Sequence, residues 1–202
     1  MSVNVAVIHY SSTGHVYQLA KAIAEGAEAT GAEVRLRKVR ELAPEEAIRS
    51  NPDWAEHARL TADVPEATLD DLLWADAYLF GSPTRFGNVS AQLKQFFDTT
   101  GGLWFERRLV DKLVSGFTSS DDVHGGQEST IISMYNVFMH WGAIIVPPGY
   151  ADDVVSAGGG NPYGASSVHV AKDPSPEELA AATFQGRRVA EKAAQFLRGR
   201  AA

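Results

Sequence analysis

Val3 to Tyr10 is a nearly unbroken apolar run rich in β-branched residues, the pattern of a strand buried on both faces. Ser11-Ser12-Thr13-Gly14 interrupts it, and a helical stripe follows, with Val16, Leu19, Ala20, Ile23, Ala24 and Ala27 recurring at spacings of three and four. Gly31 suits the C-terminal cap of that helix, and Glu33 to Val39 alternates polar and apolar residues as an edge strand does. Residues 41–66 lose this rhythm. They carry prolines, charges and Trp54, and read as a surface insertion with a short helix. Leu69 to Trp74 predicts a brief helix and Ala75 to Gly81 a strand. Pro83 to Asn88 is a loop, and Val89, Leu93, Phe96 and Phe97 form the apolar face of the next helix. Leu113 to Thr118 is a further strand. A helix from about Glu128 to Trp141 sets Ile131, Tyr135 and Phe138 on one face. Ala143 to Val146 is a short strand stopped by Pro147-Pro148, and residues 149–175, rich in Gly, Asn, Pro and Ser, read as a long loop. The last helix opens with a capping box, Ser175 then Pro176 at the first helical position and Glu178 three residues after the cap. Leu179, Val189, Ala193, Phe196 and Leu197 supply its buried stripe.

Strand–helix alternation repeated about five times implies an α/β fold with a parallel sheet covered on both faces. Five units are too few for an eight-fold barrel. The architecture that fits is a doubly wound, five-stranded, flavodoxin-like sheet of strand order 2-1-3-4-5, formed by one domain spanning residues 1–202. The 202 residues, 45% of them hydrophobic, suffice for one full core. The formal net charge of −7 argues against a primary role on DNA, RNA or anionic lipid. The sequence has no cysteine, which excludes disulfides, thiolate chemistry, Cys-ligated zinc and protein-ligated iron–sulfur clusters. No apolar run approaches the ~18 residues of a membrane span. The N-terminus lacks the pattern of a signal peptide, so the cytoplasm is the expected compartment.

In such a sheet, ligands bind beyond the C-terminal ends of the strands, at the switch point between strands one and three. Three segments there have unusual composition. Ser11 to Val16 offers three hydroxyls, a glycine and the start of a helix, but neither GxGxxG nor a P-loop lysine. That set suits a terminal monophosphate, held by hydrogen bonds to a charged acceptor at ~1.5–3 kcal/mol each, with ~0.3–1 kcal/mol more from the helix dipole. Taken alone, the same residues also make an ordinary N-cap. Gly81 to Asn88 sets Arg85 and Phe86 in a loop stiffened by Pro83, a composition able to line a planar heterocycle. The bland alternative packs Phe86 in the core and leaves Arg85 in solvent. Thr118 to Glu128 is rich in hydroxyls and glycine and suits a wall over a ligand.

These segments resemble the WrbA family of FMN-dependent NAD(P)H:quinone oxidoreductases. The most specific stretch is Gly81-Ser82-Pro83-Thr84-Arg85-Phe86-Gly87-Asn88, with Thr100-Gly101-Gly102-Leu103-Trp104 beyond it. Gly125-Gly126-Gln127-Glu128, Pro147-Pro148-Gly149-Tyr150 and Gly159 to Ser166 add further blocks. The resemblance implies FMN as cofactor, its phosphate at Ser11, Ser12, Thr13, Gly14, His15 and Val16. The isoalloxazine would lie against Pro83, Thr84, Arg85, Phe86, Gly87 and Asn88. Ser119, Ser120, Gly125 and Gly126 would meet the ring and the ribityl chain. A histidine matching His140 lies close to the flavin in the family and is the candidate catalytic residue. Thr13, Phe86 and Trp104 would border the substrate. The family is typically tetrameric, and neighbouring subunits help complete each site. Two departures stand out. Thr13 replaces an aromatic found in relatives, and Asp121, Asp122, Val123 and His124 enlarge the third loop.

The implied reaction is two-electron reduction of a quinone by NADH or NADPH, in a ping-pong cycle through flavin N5, the protein supplying position and electrostatics. A flavodoxin-type one-electron carrier and a reductase with another acceptor, such as an azo dye, a metal ion or a flavin, are the alternatives. A regulatory role on DNA has no support in so acidic a chain. No residue pattern separates NADH from NADPH. His9, His57 and His169 have no constellation around them in the sequence, and their spacings make no metal site.

Overall fold

The computed structural model describes residues 2–168 and 173–201. The order is β1 (Asn4–His9), α1 (His15–Glu28), β2 (Glu33–Lys38), α2 (Glu45–Ser50), α3 (Pro52–Leu60), α4 (Leu69–Trp74), β3 (Ala77–Pro83), α5 (Ala91–Asp98) and α6 (Gly101–Phe105). Then come β4 (Leu113–Ser120), α7 (Gln127–Trp141), β5 (Ile144–Ile145), α8 (Asp153–Ala157), β6 (Ser166–Val168) and α9 (Pro176–Ala201). All strand pairs are parallel, and the sheet order is β2-β1-β3-β4-β5.

The pleat explains why the strands read as unbroken apolar runs. In β1, Val5 and Val7 enter the core shared with α1 and α9, while Ala6 and Ile8 enter the opposite core with α4, α5 and α7. In β3, Ala77 and Leu79 take the first side, Tyr78 and Phe80 the second. With helices on both faces, neither set of side chains meets water. Phe80 anchors the second core. Its ring centroid lies 5.1 Å from Phe97, 5.3 Å from Phe138 and 5.9 Å from Trp141. Each such buried aromatic contributes ~1.5–3 kcal/mol by burial alone.

Two segments differ from the sequence reading. The fifth strand position is shared by two pieces. β5 pairs with the start of β4 through Leu113 and Val114, and β6 pairs with its end through Thr118, Ser119 and Ser120. Pro147-Pro148 forces the chain off the sheet, and α8 and β6 lie within the stretch read as a long loop. The insertion at 41–66 holds two helices, α2 and α3, rather than one. Asn51 makes the second possible. Its side chain accepts from the Asp53 and Trp54 amides, with Pro52 at the first helical position. Gly31 does adopt the left-handed conformation (φ 85°), two residues beyond the cap Ala29.

The capping box of α9 does a second job. Glu178 accepts from the Ser175 amide (2.8 Å), and also from the Val168 amide and the Ser167 hydroxyl (both 2.9 Å). It thereby ties β6, and with it the end of β4, to the helix. Gln185 makes a parallel tie inside the core. Its Oε1 accepts from the Ala165 amide at 2.7 Å, and its Nε2 donates to Ser115 Oγ at 2.7 Å and the Gly116 carbonyl at 2.8 Å. Gln185→Leu keeps the volume but strands the Ala165 amide and the Gly116 carbonyl. Each costs ~1–3 kcal/mol when buried unpaired, so the urea midpoint is expected to fall by the equivalent of about 3 kcal/mol.

Candidate active site

The three segments singled out in the sequence converge at the C-terminal ends of β1, β3 and β4. Strand β1 hands over to the first through Tyr10, whose amide donates to the Gly81 carbonyl at 2.9 Å. Ser11 Oγ accepts from the Gly14 amide at 3.0 Å, and Gly14 takes φ 106°, which bends the chain into α1. The first helical bond runs from the Gln18 amide to the Gly14 carbonyl at 3.0 Å, so the Val16 and Tyr17 amides ahead of it have no acceptor within the helix. His15 and Val16 are buried and reach a ligand only through backbone, whereas Ser11, Ser12 and Thr13 are half-exposed. Hydroxyls, amides and a helix dipole, without lysine, are a donor set that fits a phosphate monoester.

The second loop is a two-residue hairpin. Arg85 and Asn88 exchange backbone bonds of 2.8 and 3.1 Å across Phe86 (φ 55°) and Gly87 (φ 76°). Both central residues are left-handed, as a type I′ turn demands, and Phe86 is poorly suited to that. Its ring stands fully exposed, so the core-packed alternative is excluded. Arg85 is exposed, but its side chain is tethered. Its guanidinium donates to the Thr84 carbonyl at 2.9 Å and reaches Ser12 Oγ at 3.3 Å, placing a cation beside the first loop.

Thr84 clamps the second loop to the third. Its amide donates to the Ser119 carbonyl (2.8 Å) and its hydroxyl to the Gly125 carbonyl (3.2 Å), while that oxygen accepts from the Gly87 amide and the Thr130 hydroxyl. The backbones touch as well. A Cβ on Gly126 would come within 2.9 Å of Gly87 Cα, so a side chain there forces the loops apart. Ser119 and Ser120 belong to β4 rather than to the loop, because pairing with β6 extends the strand past Thr118. Within the loop, the Ser120 hydroxyl and the Gly125 amide both donate to the Asp122 carbonyl, at 2.7 and 2.9 Å, which folds the enlarged segment into a turn.

A family model described as NADPH-dependent FMN reductase matches residues 3–156. The chain is 46% identical over 195 residues to a Deinococcus radiodurans protein named NAD(P)H dehydrogenase (quinone), covering 96% of this chain and 98% of that one. A Rhizobium meliloti protein named NAD(P)H dehydrogenase (quinone) 3 is 46% identical over 96% of this chain and 93% of its own length. This chain belongs to the NADPH-dependent FMN reductase family. A solved WrbA-like flavodoxin from Agrobacterium tumefaciens shares the fold at TM-score 0.67 and 26% identity, covering 96% of this chain and 99% of that one. An archaeal flavodoxin superposes at TM-score 0.64 with 18% identity, over 95% of this chain and 99% of its own, and speaks for the fold alone.

In this family member, two of the singled-out residues lie apart from the rest. Trp104 Nε1 donates to the His140 carbonyl at 2.9 Å, so these two stand together. But His140 closes the helix that Gln127 opens, which puts it about 20 Å along the axis from the third loop. Within one chain, neither side chain joins the three loops. Around this end of α7, Trp104, Phe105, Val110 and Met139 are all exposed.

The inserted segment supplies residues that the sequence reading passed over. Glu41 accepts from Tyr10 Oη (2.9 Å), Gln92 Nε2 (2.7 Å) and Trp54 Nε1 (3.3 Å), binding the insertion to the ends of β1 and α5. Burial opposes the Glu41 charge, but the Ala43 amide, Gln92 and Tyr10 outweigh it and hold the carboxyl below its usual value. Burial, together with the Glu41 contact, pushes the Tyr10 phenol up. His9 and His57 also acquire a setting that their spacing in the sequence did not show. Tyr17 stacks on His9 at 5.4 Å and meets His57 at 5.6 Å. His169 lies outside the described residues. Only Trp54, an aromatic amid a polar insertion, hinted at this packing.

Phe86→Asn converts the turn to Asn-Gly, and is expected to raise unfolding stability by about 1 kcal/mol in urea by relieving the left-handed aromatic. Burial, with smaller contributions from His57 and Lys38, lowers the His9 pKa from 6.5 to about 3. The unfolded chain therefore takes up a proton that the folded chain refuses. Stability conferred by neutral His9 is complete above pH 6.5 and is lost as pH falls toward 3, by up to ~1.4 kcal/mol per pH unit. His9→Phe is expected to flatten this acid slope in unfolding curves recorded across the range.

Proposed function

We propose that this protein reduces quinones by two electrons at the expense of NADH or NADPH, with FMN held by the three converging loops. The observation that carries the reading is that convergence, in a chain 46% identical over nearly its whole length to a relative named NAD(P)H dehydrogenase (quinone). Bound FMN supplies the capacity to take two electrons from a nicotinamide and pass both to an acceptor.

The chain's own residues bind and orient. Ser11, Ser12, Thr13 and the leading amides of α1 hold the phosphate, and Arg85 adds charge from the second loop. Phe86, fixed outside the core by its turn, borders the flat ring and the acceptor. Thr84 keeps Pro83 to Asn88 in register with Ser119, Ser120, Gly125 and Gly126, so the ring meets one continuous wall. His140 and Trp104 are read as acting on the site of a neighbouring subunit in a homotetramer. The exposed hydrophobics around them support self-association through that end of α7. There, on this reading, the His140 imidazole donates a hydrogen bond to the oxygen of the acceptor as it is reduced. The donor is a soluble dinucleotide, and the reading places the reaction in the cytoplasm. No described helix is long and apolar enough to cross a membrane.

One second reading has a specific observation behind it. The family description names FMN itself as the molecule reduced, so free flavin is the competing acceptor. A one-electron carrier has only the shared fold in its favour. Purified protein is expected to show flavin absorption that NADH or NADPH bleaches and a quinone restores. Faster turnover with free FMN than with any quinone would shift the assignment to the second reading. His140→Ala is expected to keep FMN but lose tenfold or more in kcat/KM for quinone. A Ser11→Ala, Ser12→Ala double variant is expected to lose FMN. Co-assembled subunits of the two should show activity above that of either parent, since one supplies the loops and the other the histidine.

A further inference from the structure

Helix α3 of the insertion leans on the first loop from the β2 side. His57 Nδ1 stands 3.5 Å from the point that a Cβ on Gly14 would occupy. The same imidazole borders a cavity of about 140 Å³ shared with His9 and Ser11, and another of about 410 Å³ shared with Thr13 and Gly14. It is thus a partition between two spaces, both of which touch the residues that seat the phosphate.

The charges facing His57 are mixed. Lys38 faces it from β2, Tyr17 and Lys21 from α1, and His9 from β1. Asp53 and Glu56 share its helix, Glu41 and Glu66 line the smaller cavity, and Asp173 lines the larger. Burial, aided by Lys38, keeps the His57 pKa below its ordinary value, so the imidazole is neutral before an anion arrives. His9 stays neutral throughout, being fully buried with its Nδ1 unbonded. The loop contains no lysine, and Arg85 is a single charge against a phosphate dianion. An anion at the N-terminus of α1 therefore leaves negative charge uncompensated within a few ångströms of the His57 imidazole, and that charge opposes the burial that keeps the ring neutral.

On the reading that the Ser11–Gly14 loop seats the FMN phosphate, we propose that His57 makes cofactor loading proton-linked. Its imidazole takes a proton from solvent as the phosphate enters beside Gly14, and the imidazolium then holds that phosphate by charge. The insertion becomes part of the cofactor site through this residue, and FMN binding gains a proton uptake opposite in sign to the release that phosphate ionisation gives.

The test is calorimetric titration of FMN into cofactor-depleted full-length protein, in buffers of different ionisation enthalpy at about pH 7. Net proton uptake is expected with FMN and none with riboflavin, which lacks the phosphate. The phosphate's own ionisation, near pH ~6, gives release, of opposite sign. His57→Gln is expected to abolish uptake and to weaken FMN binding several-fold at about pH 6, approaching at lower pH the tenfold limit set by a one-unit pKa shift. In the unsubstituted protein, the His57 ring resonance should titrate about one pH unit higher once FMN is bound. Equal uptake in His57→Gln, or an unmoved His57 resonance under tight FMN binding, overturns the proposal and leaves the cofactor reading intact. Failure of the unsubstituted protein to bind FMN at all overturns both.

Discussion

In a parallel sheet with helices on both faces, every strand leaves the core at the same edge, and each following helix begins there with amides that lack an acceptor. That constraint organises this protein. The backbone donors that the core cannot satisfy collect at the ends of β1, β3 and β4. An anion is the natural partner for them, because the same helix start that leaves amides open also points a positive dipole end outward. The site follows from where the fold must expose polar backbone.

The exposed edge is then made rigid by short-range devices. Thr84 uses its amide and its hydroxyl to fix one loop against the next, and the glycines at 87 and 126 let the two backbones approach more closely than any side chain allows. Glu178 and Gln185 hold the far side, binding β6 and the segment before it to the end of β4. At this edge Phe86 is left in an unfavourable conformation and in water. A bulky aromatic held at positive φ without packing to compensate is the mark of a residue kept for what it will touch.

The insertion and the end of α7 extend this arrangement in different directions. Glu41 and Trp54 fasten the insertion to the end of strand β1, and His57 brings it to the Ser11–Gly14 loop. His140 and Trp104, by contrast, lie at the opposite end of a long helix and are bordered by exposed hydrophobics. The first contact lies within one chain. The second fits the proposed homotetramer, in which a second copy would present that surface, since helix length is fixed by residue count and keeps His140 away from the loops of its own chain.

Sheet order, the major helices, the α9 capping box and the three loops were legible from residues alone. Buried parallel strands need unbroken apolar runs, and the turns that end them need glycine, proline and hydroxyls. Cofactor class was legible through family resemblance carried by Gly81 to Asn88 and its companion blocks, which also nominates the site residues. What sequence spacing could not express was contact between distant segments. The split fifth strand, the second helix of the insertion, the Glu41 network, and the setting of His9 and His57 all arise from side chains remote in the chain that packing brings within a few ångströms. Local pattern determined which elements form and where their polar ends lie. Only tertiary structure decided which of those ends meet, because burial and hydrogen bonding across the sheet depend on neighbours that no stretch of sequence contains.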